Sequence, residues 1–204
     1  MSPLRPCLCL GAILCLCSNC AAVPKLHVLT YSNLMDERFA LPLASGELHH
    51  LYPVVVGFGL ESSWAYGLSK LANRIRAYIF DNTEPEDIIL FFDVFDVIFL
   101  GSGDEIVSRY LEMENRYQRK LFYNGDPVCT NPCEREEELA SKTNSKWRYL
   151  NSGIYIGRSS IFRDFYRDPI PDPLVDRHGK PKRWQYFHVE YYVDHAETVT
   201  VDAD

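Results

Sequence analysis

Two aspartates three residues apart, Asp93 and Asp96, fall late in the run Ile88-Ile89-Leu90-Phe91-Phe92-Asp93-Val94-Phe95-Asp96-Val97-Ile98-Phe99. Two carboxylates at that spacing can close on a hard divalent cation such as Mn²⁺ or Mg²⁺, and a cation held there can hold a diphosphate. The same spacing also suits an acidic loop whose carboxylates cap the turn that follows. A second polar constellation, Asn151-Ser152-Gly153, offers donors and acceptors for hydroxyl groups, with a glycine that lets the backbone come close. Lys70 adds a candidate point charge, although on a helix face it can equally snorkel to solvent.

The elements that must position these groups follow from periodicity. The apolar stretch from Ile88 reads as a buried central strand of an α/β sheet, and ligands of such sheets bind beyond the carboxyl ends of the strands. Lys25–Tyr31 predicts a first strand and Tyr52–Gly57 a second, which ends at the glycine pair Gly57 and Gly59. Ala65, Leu68, Leu71, Ala72, Ile75, Tyr78 and Ile79 recur at helical spacing, with Ser62 or Ser63 as cap candidates. A further helix runs through Ile106, Val107, Tyr110, Leu111 and Tyr117, and Lys120–Tyr123 is a short strand. The charged segment Glu134–Lys146 reads as a surface excursion. Tyr149–Gly157 reads as a strand-like unit interrupted by a polar turn, and Ser159 or Ser160 caps a short helix that Pro169 ends. Strands alternating with amphipathic helices predict one domain with a mostly parallel α/β sheet flanked by helices.

Residues 1–22 carry Arg5, an apolar core from Leu8 to Leu16 and a small-residue cleavage site at Cys20-Ala21-Ala22, the pattern of a secretory signal peptide, with an uncleaved membrane anchor as the alternative. Five of the seven cysteines lie inside it, leaving Cys129 and Cys133 in Cys129-Thr130-Asn131-Pro132-Cys133. In an oxidising lumen such a pair suits a loop-stapling disulfide better than a zinc half-site, because no second ligand pair follows. Without the leader, 28 acids face 20 Lys and Arg (21 less Arg5), so the net charge moves from −7 to −8. An acidic chain without a basic stripe argues against a nucleic-acid partner. The cluster Arg177–Arg183 is rich in turn formers and reads as a solvated loop. Nothing after the leader is long and apolar enough to span a membrane. The mature chain is therefore expected in the secretory pathway, in the lumen of the endoplasmic reticulum, or secreted.

Taken in order, Lys25-Leu26-His27-Val28-Leu29-Thr30, Phe92-Asp93-Val94-Phe95-Asp96-Val97, the Cys129–Pro132 turn, Leu150-Asn151-Ser152-Gly153 and Ile156-Gly157 resemble the glycosyltransferase domain of the procollagen-lysine hydroxylases. The related procollagen galactosyltransferases share much of the pattern. The resemblance implies a GT-A-like (Rossmann-like) fold over residues 25–204. It also implies a UDP-sugar donor (UDP-glucose or UDP-galactose), Mn²⁺ or Mg²⁺, and a collagen-like or other hydroxylated protein as acceptor. By the same resemblance Asp93 faces ribose and metal, Asp96 binds the metal, and Thr30 meets the uridine. Trp64 and Lys70 match a tryptophan and a lysine beside the donor, and Asn151, Ser152 and Gly153 line the sugar and acceptor.

Two departures accompany the match. Where the family has an acidic run at the start of a late helix, this chain reads Gln185-Tyr186-Phe187-His188-Val189-Glu190, so Glu190 or His188 is the candidate stand-in. The family's third metal ligand, a histidine in a His-Gly motif, has no counterpart before Asp204, so the C-terminal part of the domain is expected to be missing. A catalytically impaired module that binds nucleotide sugar or a protein partner is the alternative function. A phosphatase of the haloacid-dehalogenase type also sets aspartates after an apolar strand. Its chemistry needs them two residues apart, and the step of three from Asp93 to Asp96 argues against it.

Overall fold

The computed structural model describes residues 23–61, 68–129 and 135–202. The predicted leader, Ser62, Ser63, Trp64 and Cys133 lie outside the described residues. The strands are β1 (Leu26–Tyr31), β2 (Val54–Val56), β3 (Ile88–Phe92), β4 (Leu121–Asp126), β5 (Tyr149–Arg158) and β6 (Val199–Asp202). They form one sheet in the order β2-β1-β3-β5-β4-β6. β1 runs parallel to β2 and β3, and β4 parallel to β6, while β5 is antiparallel to both neighbours. The expected mostly parallel α/β sheet is therefore present, with β5 reversed.

The helices are α1 (Ala40–Leu48), α2 (Leu68–Asn82), α3 (Gly103–Tyr117), α4 (Glu136–Ser141), α5 (Ser159–Phe165) and α6 (Trp184–Asp194). Side chains alternate across each strand, so the sheet feeds two cores. Leu29, Ile89, Phe91, Tyr123 and Tyr155 pack with Leu71, Ile75 and Ile79 of α2, Phe162 of α5 and Val189 of α6. On the other face Val28, Leu90 and Phe92 meet Phe39 and Phe99, and Ile88 meets Tyr110 of α3. All five residues of β3 are buried, as its unbroken apolar sequence requires at the centre of a covered sheet.

Three expectations need correction, and one helix was not expected at all. Tyr149–Gly157 is one continuous strand, because the polar residues form a bulge within it rather than a turn between two pieces. The charged excursion contains α4, whose Leu139 is buried in the core. Neither Ser159 nor Ser160 caps α5. Arg158 is the capping residue, and the Ser159 hydroxyl instead meets Thr83 Oγ1 at 2.6 Å in the interior. The unexpected helix is α1, which forms although it contains Pro42 and Gly46. Pro42 stands in the first turn, where its missing N–H costs nothing. Gly46 is pressed against Pro53, whose ring lies 3.0 Å from where a Cβ would be, so a small residue is needed.

His188 of α6 is fully buried. Its Nδ1 lies 2.8 Å from Tyr123 Oη, and the ring stacks on Phe165 with centroids 4.7 Å apart. Burial pulls its pKa down to about 3. The unfolded chain therefore binds this proton from about pH 6.5 downwards while the folded chain refuses it. The stabilisation is complete above pH 6.5 and is lost as pH falls toward 3. Urea unfolding should show about 1.5 kcal/mol of acid destabilisation between pH 6.5 and 5 in the wild type that His188→Gln does not share. Parallel pH slopes in the two proteins would mean that His188 titrates normally.

Candidate active site at the carboxyl ends of the strands

The site is built where the ladder between β4 and β5 is interrupted, beside the end of the ladder between β3 and β5. Against β3, β5 stays in register from Ile88↔Arg158 to Phe92↔Ile154. The Asp93 amide then donates to the Gly153 carbonyl at 2.6 Å, which continues that ladder by one residue. Against β4 the pairing runs to Tyr123↔Tyr155 and then slips to Asn124↔Asn151. Ser152, Gly153 and Ile154 are thus extra residues on the β4 side. A bulge of this kind redirects side chains at a strand end.

Side chains close the bulge. Asn151 Oδ1 accepts the Gly153 amide at 2.7 Å, and Asn151 Nδ2 donates to Asp126 Oδ2 at 3.0 Å. A Cβ on Gly153 would sit 2.9 Å from Asn151 Oδ1 and 3.9 Å from the Asp93 Cβ. Glycine is therefore the residue that lets β5 press against both groups. The Ser152 hydroxyl and amide approach Gln185 Oε1 at 3.3 and 3.5 Å.

Asp93 is half-buried at the end of β3, and Asp96 is exposed three residues on. The Phe95 amide donates to Asp93 Oδ1 at 3.1 Å, which fixes the carboxylate on the loop. Burial raises the Asp93 pKa; the Phe95 amide works against that rise, the Asp96 charge adds to it, and Arg38 offsets it. A half-buried carboxylate beside a second one is a place where a cation is favoured. Arg38 stands nearby with its guanidinium 4.3 Å over the Phe95 ring and bound to Asp36 at 2.8 and 2.7 Å. The Tyr31 phenol, raised by burial and then by the Asp93 charge, borders the same carboxylate.

The structure brings Asp93, Asn151, Ser152 and Gly153 together, with Asp96 on the same loop as Asp93. Thr30 is buried in β1 opposite Val55 of β2. Lys70 Nζ donates to the Glu61 carbonyl at 3.2 Å, on the exposed side of α2. Trp64 is outside the described residues. Glu190 lies elsewhere, in a cleft with Arg135, Glu138, Arg177, Tyr186 and Asp194, where it meets Arg135 at 3.2 Å. Among the described residues no group of three or more His, Cys, Asp or Glu is placed to hold a metal. Asp93 and Asp96 do fit a hard cation that completes its shell with diphosphate oxygens and water, as such ions commonly do beside one or two carboxylates.

Sequence patterns missed three neighbours of the site. Asp126 was hidden because β4 runs three residues past Tyr123, through Asn124-Gly125-Asp126, residues that favour turns. Gln185 and Arg38 reach the site through contacts that periodicity cannot register.

A mostly parallel sheet, with a carboxylate pair and a polar bulge at the carboxyl ends of its strands, defines an α/β protein of the kind that takes ligands in that crevice. The chain belongs to the family of PLOD glycosyltransferase domains: the family model described as PLOD GT domain matches residues 25–197. It is similar to the procollagen-lysine,2-oxoglutarate 5-dioxygenase of Drosophila melanogaster, at 26% identity over 163 residues, which is 75% of this chain and 21% of that protein. The chain thus spans about a fifth of the length of that relative. The GT-A-like fold and the resemblance drawn from the sequence both hold.

Asn151→Ala would leave the Gly153 amide and the Asp126 carboxylate without their partner, at an expected cost of about 1–3 kcal/mol. Urea unfolding should register that loss. Asn151→Asp should be worse at neutral pH than at pH 4, because it sets a carboxylate against Asp126. Unchanged stability in both variants would show that the bulge closes without this side chain.

Proposed function

We propose that the domain is a metal-dependent glycosyltransferase that moves a hexose from a UDP-sugar to a hydroxyl of a collagen-like protein, such as hydroxylysine or galactosyl-hydroxylysine. The carrying observation is the Asp93–Gly153 backbone bond, which sets the carboxylate pair against the Asn151–Gly153 bulge. One side can then hold a diphosphate and the other a sugar. Family membership supports the transferase class. The name of the related dioxygenase supports a lysine-bearing procollagen as acceptor.

Asp93 and Asp96 would hold Mn²⁺ or Mg²⁺. Such an ion, when bound, neutralises the charge that gathers on UDP as the glycosidic bond breaks. The Phe95 amide, donating to Asp93 Oδ1, would hold the carboxylate in place for the ion. Asn151 and Ser152 would orient sugar and acceptor hydroxyls, and Gly153 leaves room for them. Trp64 and Lys70 would border the donor, and Thr30 the uridine.

The second function, a module that binds nucleotide sugar without turnover, is favoured by one observation. The two candidates for the missing acidic run are already engaged, Glu190 by Arg135 and His188 by the core. Transfer of glucose or galactose from the UDP-sugar to hydroxylysine or galactosyl-hydroxylysine peptides separates the two functions. The proposal also places the protein in the secretory pathway, within the endoplasmic reticulum or beyond it. There Cys129, packed against the core, would be joined to Cys133. Thiol labelling of the secreted protein should find neither cysteine reactive until it is reduced.

Each aspartate supplies a charge-assisted contact worth about 1.5–3 kcal/mol. Asp93→Ala and Asp96→Ala should therefore weaken Mn²⁺-dependent UDP binding about 10- to 100-fold in calorimetry. Because the Asp93 pKa is raised and its proton competes with the metal, wild-type binding should weaken on acidification sooner than an ordinary carboxylate would allow. Equal UDP affinity in wild type and both variants would sink the assignment.

A further inference from the structure

We propose that Gln185 is a positioning residue whose side-chain amide fixes the β5 bulge and, through the Gly153 carbonyl, the backbone of Asp93. It rests on the reading of Asp93 as a ligand of the donor-bound metal. The ladder between β4 and β5 fails over Ser152–Ile154, so backbone groups there need other partners. One side chain supplies a partner to the Ser152 amide and ties it to Leu150, two residues back on the paired part of the strand. Gln185 Nε2 donates to the Leu150 carbonyl at 3.1 Å, while Gln185 Oε1 faces the Ser152 hydroxyl and amide at 3.3 and 3.5 Å. The amide is used as donor on one side of Asn151 and as acceptor on the other, so it spans the residue that closes the bulge.

The clamp has a fixed base. Gln185 is the second residue of α6, between the buried Trp184 and the half-buried Tyr186. Trp184, His188, Val189 and Tyr192 of that helix are all buried. Trp184 packs edge-on to His188 at 4.8 Å, and Phe165 of α5 meets Trp184 at 5.9 Å. From this base the contacts run without a break. Gln185 holds Leu150 and Ser152, Asn151 holds Gly153, and the Gly153 carbonyl accepts the Asp93 amide at 2.6 Å. Each group touches the next, so loosening Gln185 frees the far end of the ladder that orients Asp93.

The chemistry demands an amide. Glutamate in its place keeps the acceptor for Ser152 but turns a carboxylate oxygen toward the Leu150 carbonyl, which has no proton to share. Alanine removes both contacts.

The test is amide hydrogen exchange by NMR on the whole chain, with Gln185→Ala and Gln185→Glu, alongside urea unfolding and calorimetry with UDP and Mn²⁺. The Asp93 and Gly153 amides should exchange about tenfold faster in Gln185→Ala and to a smaller extent in Gln185→Glu. Val28 and Leu29 of β1 should be unchanged. UDP affinity in the presence of Mn²⁺ should fall about five- to tenfold, and UDP affinity without the metal should not change. Unaltered exchange at Asp93 and Gly153 in both variants overturns the proposal, as does a uniform rise that reaches β1. If Gln185→Ala does not fold, the isosteric Gln185→Glu decides. If the wild type shows no Mn²⁺-dependent UDP binding, the metal assignment fails, while the exchange experiment still judges Gln185.

Discussion

The reversed strand β5 is the constraint on which the remaining structure depends. β1, β2 and β3 form one hydrogen-bonded parallel group, and β4 and β6 form another. Among the described residues only β5 shares ladders with both. Backbone amides and carbonyls buried at such a seam must be paired, so the direction and register of β5 set where each group ends. Over Ser152–Ile154 its ladder with β4 is interrupted, just where its ladder with β3 ends. Side-chain amides take over there from the backbone. The candidate site stands at this interruption, where polar groups are needed to complete the fold.

Beneath the bulge, the same strand is held by aromatic packing. Tyr155 stacks on Phe91 of β3 at 4.7 Å and on Phe162 of α5 at 5.7 Å, and it lies 4.9 Å from the His188 ring of α6. One side chain thereby touches the strand that carries Asp93 and the helix that carries Gln185. Rings in such offset contacts resist sliding as well as separation. The polar groups at the strand ends therefore stand on a block that has little freedom to shift, as binding groups must if they are to meet a ligand in one geometry.

Much of this was legible in the sequence. The run Ile88–Phe92 reads as a buried central strand and is one, and the two aspartates that follow it are candidate ligands at its end. What escaped was long-range or locally contradictory. Asn151-Ser152-Gly153 looked like a break because a polar triplet in an apolar run usually leaves the sheet. It remains because Gln185, more than thirty residues later, meets the Ser152 amide that β4 abandons. Pro42 and Gly46 hid α1 because local propensity cannot show that one sits in the first turn and the other against Pro53. His188 and Glu190 look alike as candidates in sequence. Packing separates them into a core ring and a surface partner of Arg135.

The strand order also sets a schedule for synthesis. β1, β2 and β3 can pair as soon as they leave the ribosome, since each finds its neighbour within the first part of the chain. β3 then waits with one edge open until β5 arrives, because Phe92 pairs with Ile154, roughly sixty residues later. At about 5–20 residues per second that interval lasts roughly 3–12 s. Throughout it, Ile88-Ile89-Leu90-Phe91-Phe92 presents an unpaired, wholly apolar edge of the kind that recruits other strands. The segment that gives the finished domain its centre is thus also the one that a nascent chain most needs a chaperone to shield.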